Sequence, residues 1–278
     1  MHYCFRYSEQ AISFVYMQGR YRDQTGEVIE LKSTVQRIVS LVPSQSEFLW
    51  DLGLEHELVG ITKFCIYPAT MFKSVTRVGG TKQINLELIA QLQPDLIIGN
   101  KEENTREDIQ ALRQNYPVWL SDITTIGDAM EMMHQLAVMT NRLPQWAPLK
   151  ARIEESVNRT HHLFQGRKVA YAIWHEPWMF VGHSTYINAV LNHLGMENVL
   201  SSLARYPQLP IEALKRYAPD VILLSEEPFP FKANHAAAVK AHFPNTKVLC
   251  FSGEPFSWYG SRMQFLEQEM LRLQRLMC

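Results

Sequence analysis

No stretch of this sequence is apolar for long enough to cross a bilayer, which takes about 20 consecutive residues. Neither sign of charge is in excess: 27 basic residues stand against 28 acidic ones, a formal net charge of -1. That balance gives no reason to expect nucleic acid or an anionic membrane surface as a partner. Cysteine is scarce and scattered. Cys4, Cys65, Cys250 and Cys278 form no C-x-x-C pair, so neither a zinc site nor a disulfide framework is indicated. The common catalytic signatures are missing as well: no G-x-S-x-G elbow, no H-E-x-x-H, no G-x-G-x-x-G. "VGGTK" matches part of a phosphate loop without completing G-x-x-x-x-G-K-[ST]. No enzymatic activity is expected.

The N-terminus offers one short apolar patch, Ala11 to Met17, with no basic region before it and no small-x-small cleavage site after it. A secretory signal needs a longer apolar run. No lipid-attachment pattern surrounds Cys4, and Met17 is an alternative start. By these features alone the chain is expected to be soluble and cytoplasmic, with residues 1–20 as an extension.

What is present is a repeat. "LELIAQLQPDLII" (Leu86 to Ile98) and "IEALKRYAPDVIL" (Ile211 to Leu223) carry Glu87 and Glu212, Pro94 and Pro219, and Asp95 and Asp220 at matching positions. In the first copy Leu86, Ile89 and Leu92 form one stripe of a short helix, which Pro94 ends. In the second, Pro210 suits the first helical turn and Pro219 ends it. The aliphatic runs that follow have no polar alternation, the mark of strands covered on both faces in a parallel sheet. Upstream, "RIVSLVP" reads as a strand leading to a capping box, Ser44-x-x-Glu47. Its counterpart is "KVAYAIW", followed by the helix "YINAVLNHLGM". Downstream, "YPVWLSD" and "TKVLCFSG" are strands at matching places. The fold class expected is α/β, two parallel-sheet lobes related by internal duplication. The lobes cover residues 21–125 and 167–278. Residues 126–166 have helical composition and no strand run, a helical connector with a ligand cleft between the lobes.

Together, the segment from Arg22 to Leu54, "VGGTKQINLELIAQLQPDLII" and "LPIEALKRYAPDVIL" resemble the helical-backbone substrate-binding proteins of ABC importers, the vitamin B12, iron–siderophore and haem binders. The resemblance covers roughly residues 21 to 278. It implies one long backbone helix between the lobes and a monomer that delivers a metal chelate to a permease. The bound ligand it implies is a cobalt corrinoid first, a ferric siderophore or haem next; no cofactor of the protein's own is expected. In such proteins a glutamate on each lobe docks onto permease arginines, and Glu87 and Glu212 match that pair. The residues alone allow a plainer reading, because an acidic group in a helix's first turn interacts favourably with the helix dipole.

Loops that follow strands supply the ligand candidates: Ser44 and Gln45, Phe64 and Tyr67, Lys82, Trp174 and Trp178, and Trp258, Tyr259 and Arg262. Exposed aromatic rings offer rigid contact area to a flat ligand, although for any one of them a place in the roof of the lobe's core is the commoner role. Gly and Pro neighbours point to Trp178, Trp258 and Tyr259 as loop tips. Lys82 and Arg262 suit anionic substituents, or are ordinary rim charges. His175 matches no zinc spacing and is expected to meet metal only as an axial ligand to a chelate. Importer proteins work in the periplasm or cell envelope, which the N-terminus does not announce. The alternatives are a cytoplasmic protein that binds or hands on a chelate, and a nitrogenase-scaffold enzyme or assembly protein. The scattered cysteines count against the last.

Overall fold

The aliphatic runs form the strands of two parallel sheets in a computed structural model that describes residues 19–277. Cys4, the Ala11–Met17 patch, Met17 as a start and Cys278 lie outside these residues. The described chain opens with an antiparallel hairpin, β1 (Gly19–Arg22) and β2 (Val28–Leu31). The first lobe follows: β3 (Ile38–Ser40), α1 (Pro43–Asp51), β4 (Leu58–Ile61), α2 (Ala69–Ser74), β5 (Thr76–Arg77), α3 (Leu86–Leu92), β6 (Leu96–Asn100), α4 (Arg106–Arg113) and β7 (Val118–Ser121). Its sheet runs in the order β5-β4-β3-β6-β7, all parallel.

Two helices then carry the chain across, α5 (Ile126–Met139) and α6 (Leu143–Thr160). The connector is therefore divided where the resemblance implied a single helix. The break falls at Asn141, whose φ of 55° takes it out of the helical region. Pro148 is accommodated inside α6, in its second turn.

The second lobe contains β8 (Lys168–Trp174), β9 (Met179–Phe180), α7 (Tyr186–His193), β10 (Glu197–Asn198), β11 (Val221–Ser225), α8 (Ala233–His242), β12 (Lys247–Phe251), α9 (Glu254–Ser257) and α10 (Leu266–Met277). Its parallel strands run β10-β8-β11-β12, with β9 antiparallel to β8. β6 and β11 are buried at every residue, as their unalternating sequences require.

Both copies of the repeat end alike. Gln93 and Ala218 cap their helices in the left-handed region, at φ 45°, ψ 58° and φ 45°, ψ 59°. The Pro-Asp pair that follows is a joint. Asp95 accepts backbone N–H bonds from Gln36 and Arg37 at the entrance to β3, and its own N–H donates to the Arg37 carbonyl. Asp220 accepts from the Lys168 N–H and donates to the Lys168 carbonyl at the entrance to β8. The helices differ in winding. Asn85 caps α3 by accepting from the Leu88 N–H, whereas Pro210 precedes the helix and supplies no side-chain cap. Residues Ile211–Tyr217 wind as a 3-10 helix.

The capping box expected at Ser44 does not form. Pro43 takes the first helical position with Val42 ahead of it, so Ser44 already lies inside the first turn and Glu47 is free to turn elsewhere. One apolar core runs through both lobes, from Ile38 and Ile98 through Met132 and Ile153 to Leu223 and Met270. α6 packs on α10 and on a short 3-10 helix, Ser261–Phe265, which also touches α1 of the first lobe.

Candidate functional site: the cleft between the lobes

The carboxyl ends of the two sheets face each other, because the loops after their strands meet. Tyr67, after β4, lies edge-on to Trp258, after β12, with ring centroids 5.9 Å apart. Glu102, after β6, pairs with Arg205 of the second lobe at 2.7 Å. Gly260 sits against the Ser44 carbonyl so closely that a Cβ there would stand 2.8 Å from it, at a φ of 137° suited to glycine.

Arg262 is the centre of one end of this junction. Its Nε donates to Glu47 of the first lobe at 2.8 Å and its Nη1 to Glu254 of the second at 2.7 Å. The guanidinium lies 3.9 Å from the centroid of the Tyr67 ring and 5.1 Å from that of Trp258. Burial pushes the Glu47 carboxyl up to about 7 even against the attraction of Arg262. Glu227 also rises to about 7, by burial first and then by the charge of Glu254. A cavity of about 520 Å³ opens beside this group, lined among others by Tyr67, Glu227, Glu254, Trp258, Arg262 and Arg272.

At the other end Arg205 is held in the left-handed region, with its Nη1 on the Ser184 carbonyl. Glu102 is oriented by Asn100, which accepts from its N–H, and its carbonyl takes the Lys82 ammonium. Tyr206 lies beside the pair; burial, then the Glu102 charge, suppresses its ionisation.

The residues named from sequence divide between this junction and the cores behind it. Tyr67, Trp258 and Arg262 come together, and Phe64 and Trp174 are exposed, at 49% and 40%. Arg262 already satisfies two carboxylates and does not stand free for an anion, whereas Lys82 is exposed and donates to an uncharged acceptor, the Glu102 carbonyl. Ser44 and Gln45 are buried beneath the cleft, and the Gln45 amide donates to Ser121. Tyr259 and Trp178 lie in loops, as expected, but their rings are turned inward. Tyr259 is buried edge-on to Tyr186, and Trp178 stacks on Phe180 and Phe231 over a small core of the second lobe. The His175 ring packs against Trp178, Phe229 and His235. Among the described residues no cluster of three or more His, Cys, Asp or Glu is arranged to hold a metal ion.

Sequence reasoning missed Glu47, Glu254, Glu102, Glu227 and Phe229. The last three follow the strand runs β6 and β11 directly, the signal used for the other loops. Arg205 and Tyr206 follow no strand run and carried no such signal.

The profile of the periplasmic binding proteins matches residues 38–246. The chain belongs to that family. Among its relatives, the vitamin B12-binding protein of Pectobacterium carotovorum is 26% identical over 200 residues, covering 69% of this chain and 72% of its own. A substrate-binding lipoprotein of an ABC transporter from Bacillus subtilis is 24% identical over 217 residues, 73% of this chain and 68% of its own. The solved periplasmic vitamin B12 binding protein of Vibrio cholerae superposes with a TM-score of 0.71 at 22% identity, over 87% of this chain and 98% of its own. The periplasmic haem binding protein of the same organism gives 0.72, also at 22%, over 87% and 98%. Two parallel-sheet lobes bridged by helices are the shared fold.

Proposed function

We propose that this chain captures a metal chelate in the inter-lobe cleft, a cobalt corrinoid in the first place, and delivers it to the permease of an ABC importer. The observation that carries this reading is the meeting of Tyr67, Arg262 and Trp258 from opposite lobes at the carboxyl ends of both sheets. Rings and a guanidinium face grip a flat, weakly polar body through dispersion and quadrupole contacts. Exposed Phe64 and Trp174 extend the same kind of surface. Nearby sequence relatives are vitamin B12-binding proteins, which favours a corrinoid over haem or a ferric siderophore. The protein acts as a binder and not a catalyst. Glu87 and Glu212, exposed at the starts of equivalent helices, are the permease contacts in this reading.

The test is an absorption spectrum after incubation with cyanocobalamin, hemin or a ferric hydroxamate siderophore, followed by desalting. Retention of the corrinoid bands at one equivalent is expected. Retention of hemin or the siderophore alone would move the assignment to that chelate, and retention of none would overturn it.

A further inference from the structure

We propose that Arg205 is an anion-binding residue of the cleft, held in reserve by Glu102 until a ligand brings an acidic substituent of its own. The proposal rests on the chelate-binding reading and adds to it the chemistry of one ligand group, a carboxylate or a phosphate ester.

The cations around the junction are held in different ways. Arg262 is committed to Glu47 and Glu254 through two separate nitrogens and is only 23% exposed in its side chain. Lys82 donates to a backbone carbonyl, and Lys101 is paired with Asp122. Lys63 lies over the Phe64 ring. Arg205 combines three features that these cations have only singly or in pairs. Its side chain is 49% exposed, its single carboxylate partner is 33% exposed, and that partner belongs to the opposite lobe. An exposed pair of this kind is easily exchanged. The guanidinium meanwhile stays aimed, because Nη1 rests on the Ser184 carbonyl and the Arg205 carbonyl accepts from the Gly182 N–H. A planar fork so positioned matches two oxygens of a carboxylate or phosphate.

The pair also spans the gap between the lobes. A continuous apolar core and two connector helices join those lobes, so a ligand entering at this end parts the side chains and not the domains. Glu102 then loses its partner at the moment Arg205 gains one. The exchange conserves ion pairs only for a ligand that carries an anion. A neutral ligand leaves both charges single, which is how the pair discriminates.

The experiment compares ligands that differ in the acidic group. Cyanocobalamin carries a phosphodiester and dicyanocobinamide lacks it; hemin carries two carboxylates and its dimethyl ester none. Calorimetric titrations are run on the wild type, Arg205→Ala and Glu102→Gln, with thermal melts beside them. Within whichever pair the wild type holds, Arg205→Ala is expected to weaken the anion-bearing member by about tenfold or more while the neutral member changes by less than about twofold. Glu102→Gln, which frees the guanidinium beforehand, is expected to tighten the anion-bearing member. The cobalamin arm reports a phosphate ester and the hemin arm a carboxylate. Unchanged binding by Arg205→Ala, or equal weakening of both members of a pair, overturns the proposal while the chelate-binding reading stands. A wild type that holds none of the four overturns the proposal, and the chelate-binding reading falls with it if the ferric hydroxamate siderophore is not retained either.

Discussion

Arg262 brings one positive charge to a place where Glu47, Glu254 and Glu227 converge, with Asp51 and Glu226 close enough to be felt. Burial first, and then the carboxylate charges that one cation does not balance, push both Glu47 and Glu227 up to about 7. The consequence for stability has a definite sign. Glu227 binds its proton more tightly in the folded chain than at its ordinary 4.5, so its contribution is complete below about 4.5 and is lost as pH rises through about 7. Glu227→Gln removes that loss. The variant is expected to melt above the wild type at about pH 8 and to close the gap at about pH 5. A gap that is constant with pH would show that Glu227 does not hold the proton. The aromatic residues separate in the same way by their surroundings. Trp258→Ala is expected to weaken chelate binding by about 2 kcal/mol with little change in melting, since its ring faces the cleft. Trp178→Ala is expected to lower stability by about 2 kcal/mol, since its ring is stacked between Phe180 and Phe231. Isothermal titration and melting of both variants check the contrast. Sequence could name these tryptophans as loop residues because Pro and Gly punctuate the chain around them. It could not tell an outward ring from an inward one, since that depends on Phe231, far along the chain. For the same reason Glu47 was legible only as half of a local capping box, while its actual partner, Arg262, is 215 residues away.

At the scale of elements, the repeated segment does two jobs at its two ends. Its Pro-Asp end is architectural. Asp95 accepts two backbone N–H groups at the entrance to β3 and Asp220 accepts one at the entrance to β8. Asp95→Ala is therefore expected to destabilise by about 2 kcal/mol and Asp220→Ala by about 1 kcal/mol. Denaturant melts of the two variants measure this, and a reversed order would contradict it. Its Glu end is exposed and free of any architectural role, apart from a 3.5 Å approach of His242 to Glu212. Reversing Glu87 and Glu212 to Lys together is expected to shift stability by less than about 1 kcal/mol per site. Pull-down of the permease is expected to fail, because like charges opposed across an interface repel strongly. A stability loss with undiminished pull-down would leave only the dipole role. Elements of this kind were the most legible part of the chain. The Pro that ends each helix and the aliphatic run after it are local signals, and each β-strand of the two repeats lies where those signals put it. The winding of Ile211–Tyr217 was not legible from its apolar stripe, since short 3-10 and α turns share it.

For the molecule as a whole, the question is whether the two lobes close on a ligand as hinged domains do. Hinge closure needs a few backbone positions that absorb large rotations and an interface that can separate. Here the crossing is made by α5 and α6, whose interior-facing residues Met132, Met133, Trp146 and Ile153 belong to the same core as the strands of both lobes. Opening the lobes would expose part of that core to water. The one break in the connector, at Asn141, is itself fastened, because the Arg142 N–H donates to the Ala137 carbonyl and its guanidinium pairs with Glu57 at 2.7 Å. Arg262 adds a tie between α1 and the second lobe through Glu47. Ligand binding is therefore expected to change the radius of gyration by less than about 1 Å, the range of pre-organised partners. Small-angle scattering of the protein with and without cyanocobalamin measures this, and a contraction of several ångströms would show that the core divides. Arg262→Ala supplies the complementary case. If the core carries the rigidity and Arg262 only trims it, the variant scatters like the wild type even as its affinity falls. If the Glu47 tie is what holds the lobes, the variant alone should expand and then contract when ligand is added.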